Sequence, residues 1–182
     1  MLGRSRDRLA RAYRRIDVAP LRGRFLLTDQ AIRALEELLP TYRGPDGSHE
    51  GIAFLCGIEL LTATLYTTAI APEANHGRGH VRCSEAQVAA VSAAARELGL
   101  GLLAQVHCHP GDVTIHSIGD DDMVLMPFEG MLSIVCPLYG RFALRPLETL
   151  GVHQFQDGRW VLAEAQRVKA NFGVLPGGID LR

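Results

Sequence analysis

His107-Cys108-His109-Pro110 is followed, eleven residues after His109, by Asp120, with Ser117 between them. Two imidazoles and a carboxylate in that spacing are a candidate set of zinc ligands, and the chemistry they suggest is metal-dependent hydrolysis. On an extended strand successive side chains alternate between faces, so His107 and His109 point the same way while Cys108 points away. Pro110 tends to end the strand, and Gly111-Asp112 favours a loop that can swing a third ligand, Asp120, back to the first two. Three protein ligands of mixed nitrogen and oxygen type leave a fourth tetrahedral position for water, which distinguishes a catalytic zinc from a closed structural one.

Hydrolysis of a peptide bond also needs a group that takes a proton from water and returns it to the leaving amine. Glu50 is the candidate, because it precedes the apolar run Gly51-Ile52-Ala53-Phe54-Leu55-Cys56-Gly57 and so falls at a strand end rather than in the core. Ser117 is the candidate donor to a tetrahedral oxyanion.

The Glu50 segment, then His107-x-His109-Pro110, six residues and Ser117-x-x-Asp120, resembles the motif of the JAMM (MPN-plus) metalloprotease family at every position. The resemblance implies one catalytic zinc held by His107, His109 and Asp120, with Glu50 as general acid/base and Ser117 as oxyanion donor. It covers residues 48 to 122 by motif and extends to about residue 165 by element order. It also implies cleavage after the C-terminal glycine of a ubiquitin-like modifier, whose extended tail lies beside a sheet edge. The stretch after Asp120 is short. With the arginine-rich start, it is most similar to the stand-alone prokaryotic branch, including the deubiquitinase-like components of bacterial ubiquitin-like conjugation and antiphage operons. Expected partners are then a ubiquitin-like protein or its conjugates, with operon-encoded E1-like and E2-like enzymes as further candidates. Rival readings are a peptidase that releases an amino acid from a sulfur-carrier protein, a non-catalytic MPN scaffold, and a RadC-like DNA-associated protein. The intact ligand set speaks against the scaffold, and the short segment before Glu50 against the RadC-like architecture.

A chain of 182 residues, 47% apolar and 21% charged, can bury a sizeable core and reads as one domain. No apolar run approaches the roughly 18 residues of a membrane span, and the start lacks a secretory apolar stretch, so a cytoplasmic location is expected. Cys56, Cys83, Cys108 and Cys136 show no Cys-x-x-Cys spacing and are expected to be free thiols.

Residues 1–24 form an arginine-rich segment, with arginines at 4, 6, 8, 11, 14, 15, 22 and 24 against Asp7 and Asp17, a local net charge of +6 in a chain of net charge −1. A solvated N-terminal helix is the expectation, an acidic protein surface the next reading, and nucleic acid the last, since Tyr13 is the sole aromatic among the arginines. The metalloprotease domain is assigned to 25–170 and a C-terminal tail to 171–182.

The elements that must position the site follow from periodicity and caps. Thr28 caps a helix over residues 29 to 39 that Pro40 stops, and Tyr42 to Ser48 is a loop delivering the chain to Glu50. Residues 60 to 70 read as a second strand, antiparallel to the first. Ser84-x-x-Gln87 is a capping box for a helix whose face is Val88, Val91, Ala95 and Leu98, ending at Gly99 and feeding the ligand strand Leu102 to Cys108. Asp120-Asp121-Asp122 opens a short helix, the last two as helix-end charges. Met131 to Leu138 and Phe142 to Leu144 read as strands. Val152 to Phe155 and Arg159 to Leu162 flank the hairpin dipeptide Asp157-Gly158, with Phe155 and Trp160 as core, and a last helix occupies 161 to 170. His76 and His80 read as surface or groove-side loop residues, and His116 as a contact to substrate or to groups behind the ligands. Gly177-Gly178 reads as a turn. The fold class is α/β, a single domain with a curved mixed sheet flanked by helices, which the resemblance makes JAMM/MPN-like (cytidine-deaminase-like).

Overall fold

The structure is a computed structural model and describes residues 16–123 and 127–177. Local signals build its helices. Thr28 ends β1 (Phe25–Thr28) and caps α1 (Asp29–Leu38), its hydroxyl accepting the Ala31 N–H at 3.1 Å. The Ser84–Gln87 capping box opens α2 (Glu85–Glu97), and Gly99, at φ +71°, lets the chain turn out of it. Val91 and Ala95 are the buried residues of α2, whereas Leu98, expected on its buried face, lies past the last turn and is exposed.

Between these helices lie β2 (Ile52–Glu59), β3 (Thr64–Ile70) and a separate hairpin of β4 (Asn75–Gly77) and β5 (His80–Arg82). Of the strand expected over 60 to 70, residues 60–63 are the turn, closed by Leu60 N–H to the Ala63 carbonyl. Residues 75–82, expected as loop, form two short strands because Gly77 and the Arg78-Gly79 turn allow a tight reversal. Then follow β6 (Gly101–Cys108), the six-residue helix α3 (Ile118–Met123), β7 (Leu132–Cys136), β8 (Gly151–Gln156), β9 (Arg159–Leu162), α4 (Ala165–Asn171) and β10 (Phe172–Leu175).

The main sheet runs β10-β1-β3-β2-β6-β7-β8-β9. It is mixed, with β1/β10, β1/β3 and β6/β7 parallel and the other neighbours antiparallel. It curls into a half-barrel flanked by helices, in a single domain. Two apolar clusters cover its faces. Ala53, Leu55, Ala104, Val106, Cys108, Leu132 and Ile134 meet α1 and α4 on one side, and Ile52, Phe54 and Cys56 meet Val91 and Ala95 of α2 on the other.

Phe142 to Leu144 is not a strand. The Leu144 N–H is taken by the Glu36 carboxylate at 2.9 Å rather than by a neighbouring strand, and Phe142 is exposed. The last helix starts at Ala165, since Val161 and Leu162 belong to β9. At the hairpin, Asp157 (φ 51°) and Gly158 (φ 78°) both take the positive φ that a two-residue reversal needs. Phe155 and Trp160 are half-buried, stacked edge to face at 5.3 Å, rather than core.

The part from 171 onward set apart as a tail includes β10, paired with β1. Of the arginine-rich segment, residues 16–24 lie against the domain: Val18 bridges Leu162, Leu21 is buried, and Arg22 pairs with Glu129 and Asp157. The arginines at 4 to 15 and Gly178 lie outside the described residues. The four cysteines are free thiols. Among the described residues no helix is long and apolar enough to cross a membrane.

Candidate metal centre

Strand alternation splits β6 between two tasks. Ala104, Val106 and Cys108 enter the main core, so Gln105 and His107 face the other way, and His109 follows them just past the strand end. The backbone here is held on both sides: Cys108 N–H bonds the Gly51 carbonyl at 3.0 Å, His109 N–H the Cys136 carbonyl at 2.8 Å, and Tyr139 N–H the His109 carbonyl at 2.8 Å. The loop from Pro110 returns at α3, where Asp120 and Ser117 lock each other. Ser117 N–H donates to Asp120 Oδ2 at 2.6 Å and Asp120 N–H to Ser117 Oγ at 3.3 Å. The loop seats against β8 at Gly151, where a Cβ would collide with the Thr114 carbonyl.

His107, His109 and Asp120 converge, their ligand atoms all within 4.8 Å of one another. His109 Nδ1–H donates to the Val113 carbonyl at 2.9 Å, which leaves Nε2 as the lone-pair nitrogen, 3.1 Å from Asp120 Oδ2. His107 Nε2 is buried, has no hydrogen bond, and lies 3.5 Å from Asp120 Oδ1. The orphaned ring nitrogen of His107 is costly where it lies, and a cation set among the three groups, in place of a proton between His109 and Asp120, satisfies all of them. These residues therefore fit a metal ion. For Asp120, burial pushes the carboxyl up, but the close approach and charges of the two imidazoles outweigh it and hold the pKa far below the usual range. For His109, burial pushes the imidazole down, and Asp120, with help from the Val113 carbonyl and Glu50, reverses it to a net rise.

The β2–β6 register pairs Ile52 with His107, so its extension sets Glu50 opposite His109 on the same face. Glu50 is 7% exposed, and its carboxyl is pushed up to about 7 by burial, with the Asp120 charge adding to the rise and His109 opposing it. A carboxyl balanced there can both accept and return a proton near neutral pH. Ser117 sits beside Asp120, its Oγ accepting from the Asp120 backbone. The five residues singled out by spacing thus gather at one end of the β2–β6 pair. Cys108 faces the core.

His116, expected to contact substrate or groups behind the ligands, is buried and makes contacts of the second kind. Gln105 Nε2 donates to Ser133 Oγ (2.9 Å), Ser133 Oγ–H to His116 Nε2 (2.8 Å), and His116 Nδ1–H to Asp121 Oδ1 (2.9 Å). Its ring stacks on His153 at 3.8 Å, and its backbone N–H donates to His153 Nε2 at 3.2 Å. Burial holds both imidazoles neutral, pushing His116 down to about 3 and His153 down to about 2, with neighbouring imidazoles adding to each. Motif spacing does not reveal this floor under the loop. Gln105 was open to it through the same alternation that found His107, whereas Ser133 and His153 arrive by long-range strand pairing.

No family profile matches the chain, and no curated protein matches it in sequence. Among solved structures, the solution structure of protein DSY2949 from Desulfitobacterium hafniense is similar with a TM-score of 0.62 at 12% identity, over 84% of this chain and 94% of that one. A crystal structure of AF2198, a JAB1/MPN domain protein from Archaeoglobus fulgidus, aligns with a TM-score of 0.42 at 16% identity, over 77% of this chain and 94% of that one. The first of these likenesses shows a fold in common with this chain.

Proposed function

We propose that the protein is a zinc-dependent peptidase of the JAMM type, which cleaves after the C-terminal glycine of a ubiquitin-like modifier, either to deconjugate it or to process its precursor. The observation that carries this reading is the buried, unbonded Nε2 of His107, set with His109 and Asp120 on the face that also bears Glu50. The spacing of Ser117 and Asp120 after His107-x-His109-Pro110 supports the same family.

His107, His109 and Asp120 would hold the ion, and zinc bound there supplies Lewis acidity at a carbonyl and acidifies water. Glu50 takes a proton from the attacking water and returns it to the leaving amine. The Ser117 hydroxyl, whose proton the Asp120 N–H contact leaves free, donates to the developing oxyanion. Buried Gln105, Ser133 and His116 keep the loop in place and contribute no proton of their own.

The test is cleavage of a modifier fused through its C-terminal glycine to a reporter, by wild type and Glu50→Ala, with bound zinc quantified in both. Zinc in both proteins and a rate lower by about 10²–10⁴-fold in Glu50→Ala is the expected result. Equal rates would overturn the role of Glu50, and no zinc in either would overturn the metal.

A further inference from the structure

His49 and His76 lie outside the metal-ligand set, yet their Nδ1 atoms are 3.1 Å apart, with the rings edge to face at 5.1 Å. Two imidazole nitrogens at that distance share one proton, one donating and the other accepting through its lone pair. His49 immediately precedes Glu50, and His76 is the middle residue of β4. The same hairpin touches the Glu50 segment in two more ways, since Glu50 N–H donates to the Gly77 carbonyl at 2.9 Å and Arg78 pairs with Asp46, and it is tied to the turn after β7 where the Arg78 carbonyl accepts from the Tyr139 hydroxyl at 3.2 Å. Both rings are seated. A Cβ on Gly44 would collide with the His49 ring, and the Tyr42 ring stands edge-on to His76 at 5.3 Å while its hydroxyl donates to the Pro72 carbonyl.

Strands β4 and β5 pair only with each other, three residues each, and Val81 is their one residue buried in a core cluster. So short a hairpin cannot hold its own place and depends on such ties.

We propose that His49 and His76 form a latch that positions Glu50, by fastening the β4–β5 hairpin to the segment that carries the carboxylate. The inference rests on the reading of Glu50 as general acid/base and makes His76 a positioning residue.

Two variants separate the latch from simple packing. His76→Asn keeps a hydrogen-bonding atom in the place of Nδ1; His76→Leu removes the bond. Protection of the Glu50 amide and of residues 75–82 against hydrogen exchange is measured at pH 7, with β7 amides as internal reference, beside zinc content and kcat. Wild type and His76→Asn should protect the Glu50 amide equally, and His76→Leu should lose at least about tenfold of that protection and lower kcat with its zinc retained. Unchanged protection in His76→Leu, or a loss in His76→Asn as large as that in His76→Leu, would overturn the latch. Exchange needs no substrate, so failure of the latch is distinguishable from failure of Glu50 as acid/base, which is read from Glu50→Ala.

Discussion

The two faces of the β2–β6 pair carry opposite burdens. One presents Ala53, Leu55, Ala104, Val106 and Cys108 to an apolar cluster, with every side chain satisfied by contact alone. The other carries Gln105 and His107, with Glu50 and His109 at its end, and leaves a buried ring nitrogen without a partner. Neighbouring residues of a single strand thus divide stability from chemistry, and the chemical face is the one that bears an unmet cost. The difference teaches where a substitution should be felt: on the first face, and at Ile52 and Phe54 where the second packs on α2, in the folding equilibrium; at Glu50, His107 and His109 in metal binding and turnover.

The largest effect expected from this contrast is that of His107→Leu. It should abolish zinc binding and cleavage, yet leave the metal-free protein as stable as wild type or more stable by on the order of 1 kcal/mol, since an unsatisfied buried nitrogen is removed. Zinc titration and urea unfolding of the chelated proteins check both halves; a clear loss of metal-free stability would break the contrast. Leu55→Ala, on the other face and fully buried, should cost about 2–5 kcal/mol by urea unfolding while the surviving folded protein keeps its zinc stoichiometry.

The smallest effect lies in acid and sharpens the polar side. The folded pKa values of His116 and His153, about 3 and about 2, lie below the ordinary imidazole value of roughly 6.5. The unfolded chain therefore takes up these protons first, so the stability they contribute is complete above about pH 6.5 and drains away as pH falls toward the folded values. Each should steepen the loss by about 1.4 kcal/mol per pH unit in metal-free protein. His153→Gln, which keeps an acceptor for the His116 N–H, should remove one such contribution from urea midpoints measured between pH 6 and pH 4; an unchanged slope would show that His153 does not titrate this way.

What could be read from the chain is what is local. The Thr28 cap, the Ser84–Gln87 box and the Asp157-Gly158 reversal are each encoded within a few residues, and they appear where expected. The ligand pair on one strand was legible for the same reason, since period-two alternation needs no knowledge of neighbours. What escaped was set by distant partners. Leu144 looks like a strand residue until Glu36 takes its N–H, and Phe155 and Trp160 look like core until β9 proves to be the last strand of its sheet. Likewise the hairpin carrying His76 and His80 hid behind two glycines, and its meaning depends on His49 across the fold.

Gly151, where the first residue of β8 leaves room for the Thr114 carbonyl, bears on how such a scaffold could drift. A single methyl group there would force the chain to choose between an intact strand and a seated loop, and the loop, with fewer neighbours to hold it, would give way. Asp120 would then travel with it. A lineage could in that way shed its metal and keep every ligand in its sequence, so that a search by motif would still count as an enzyme what had become only a shape.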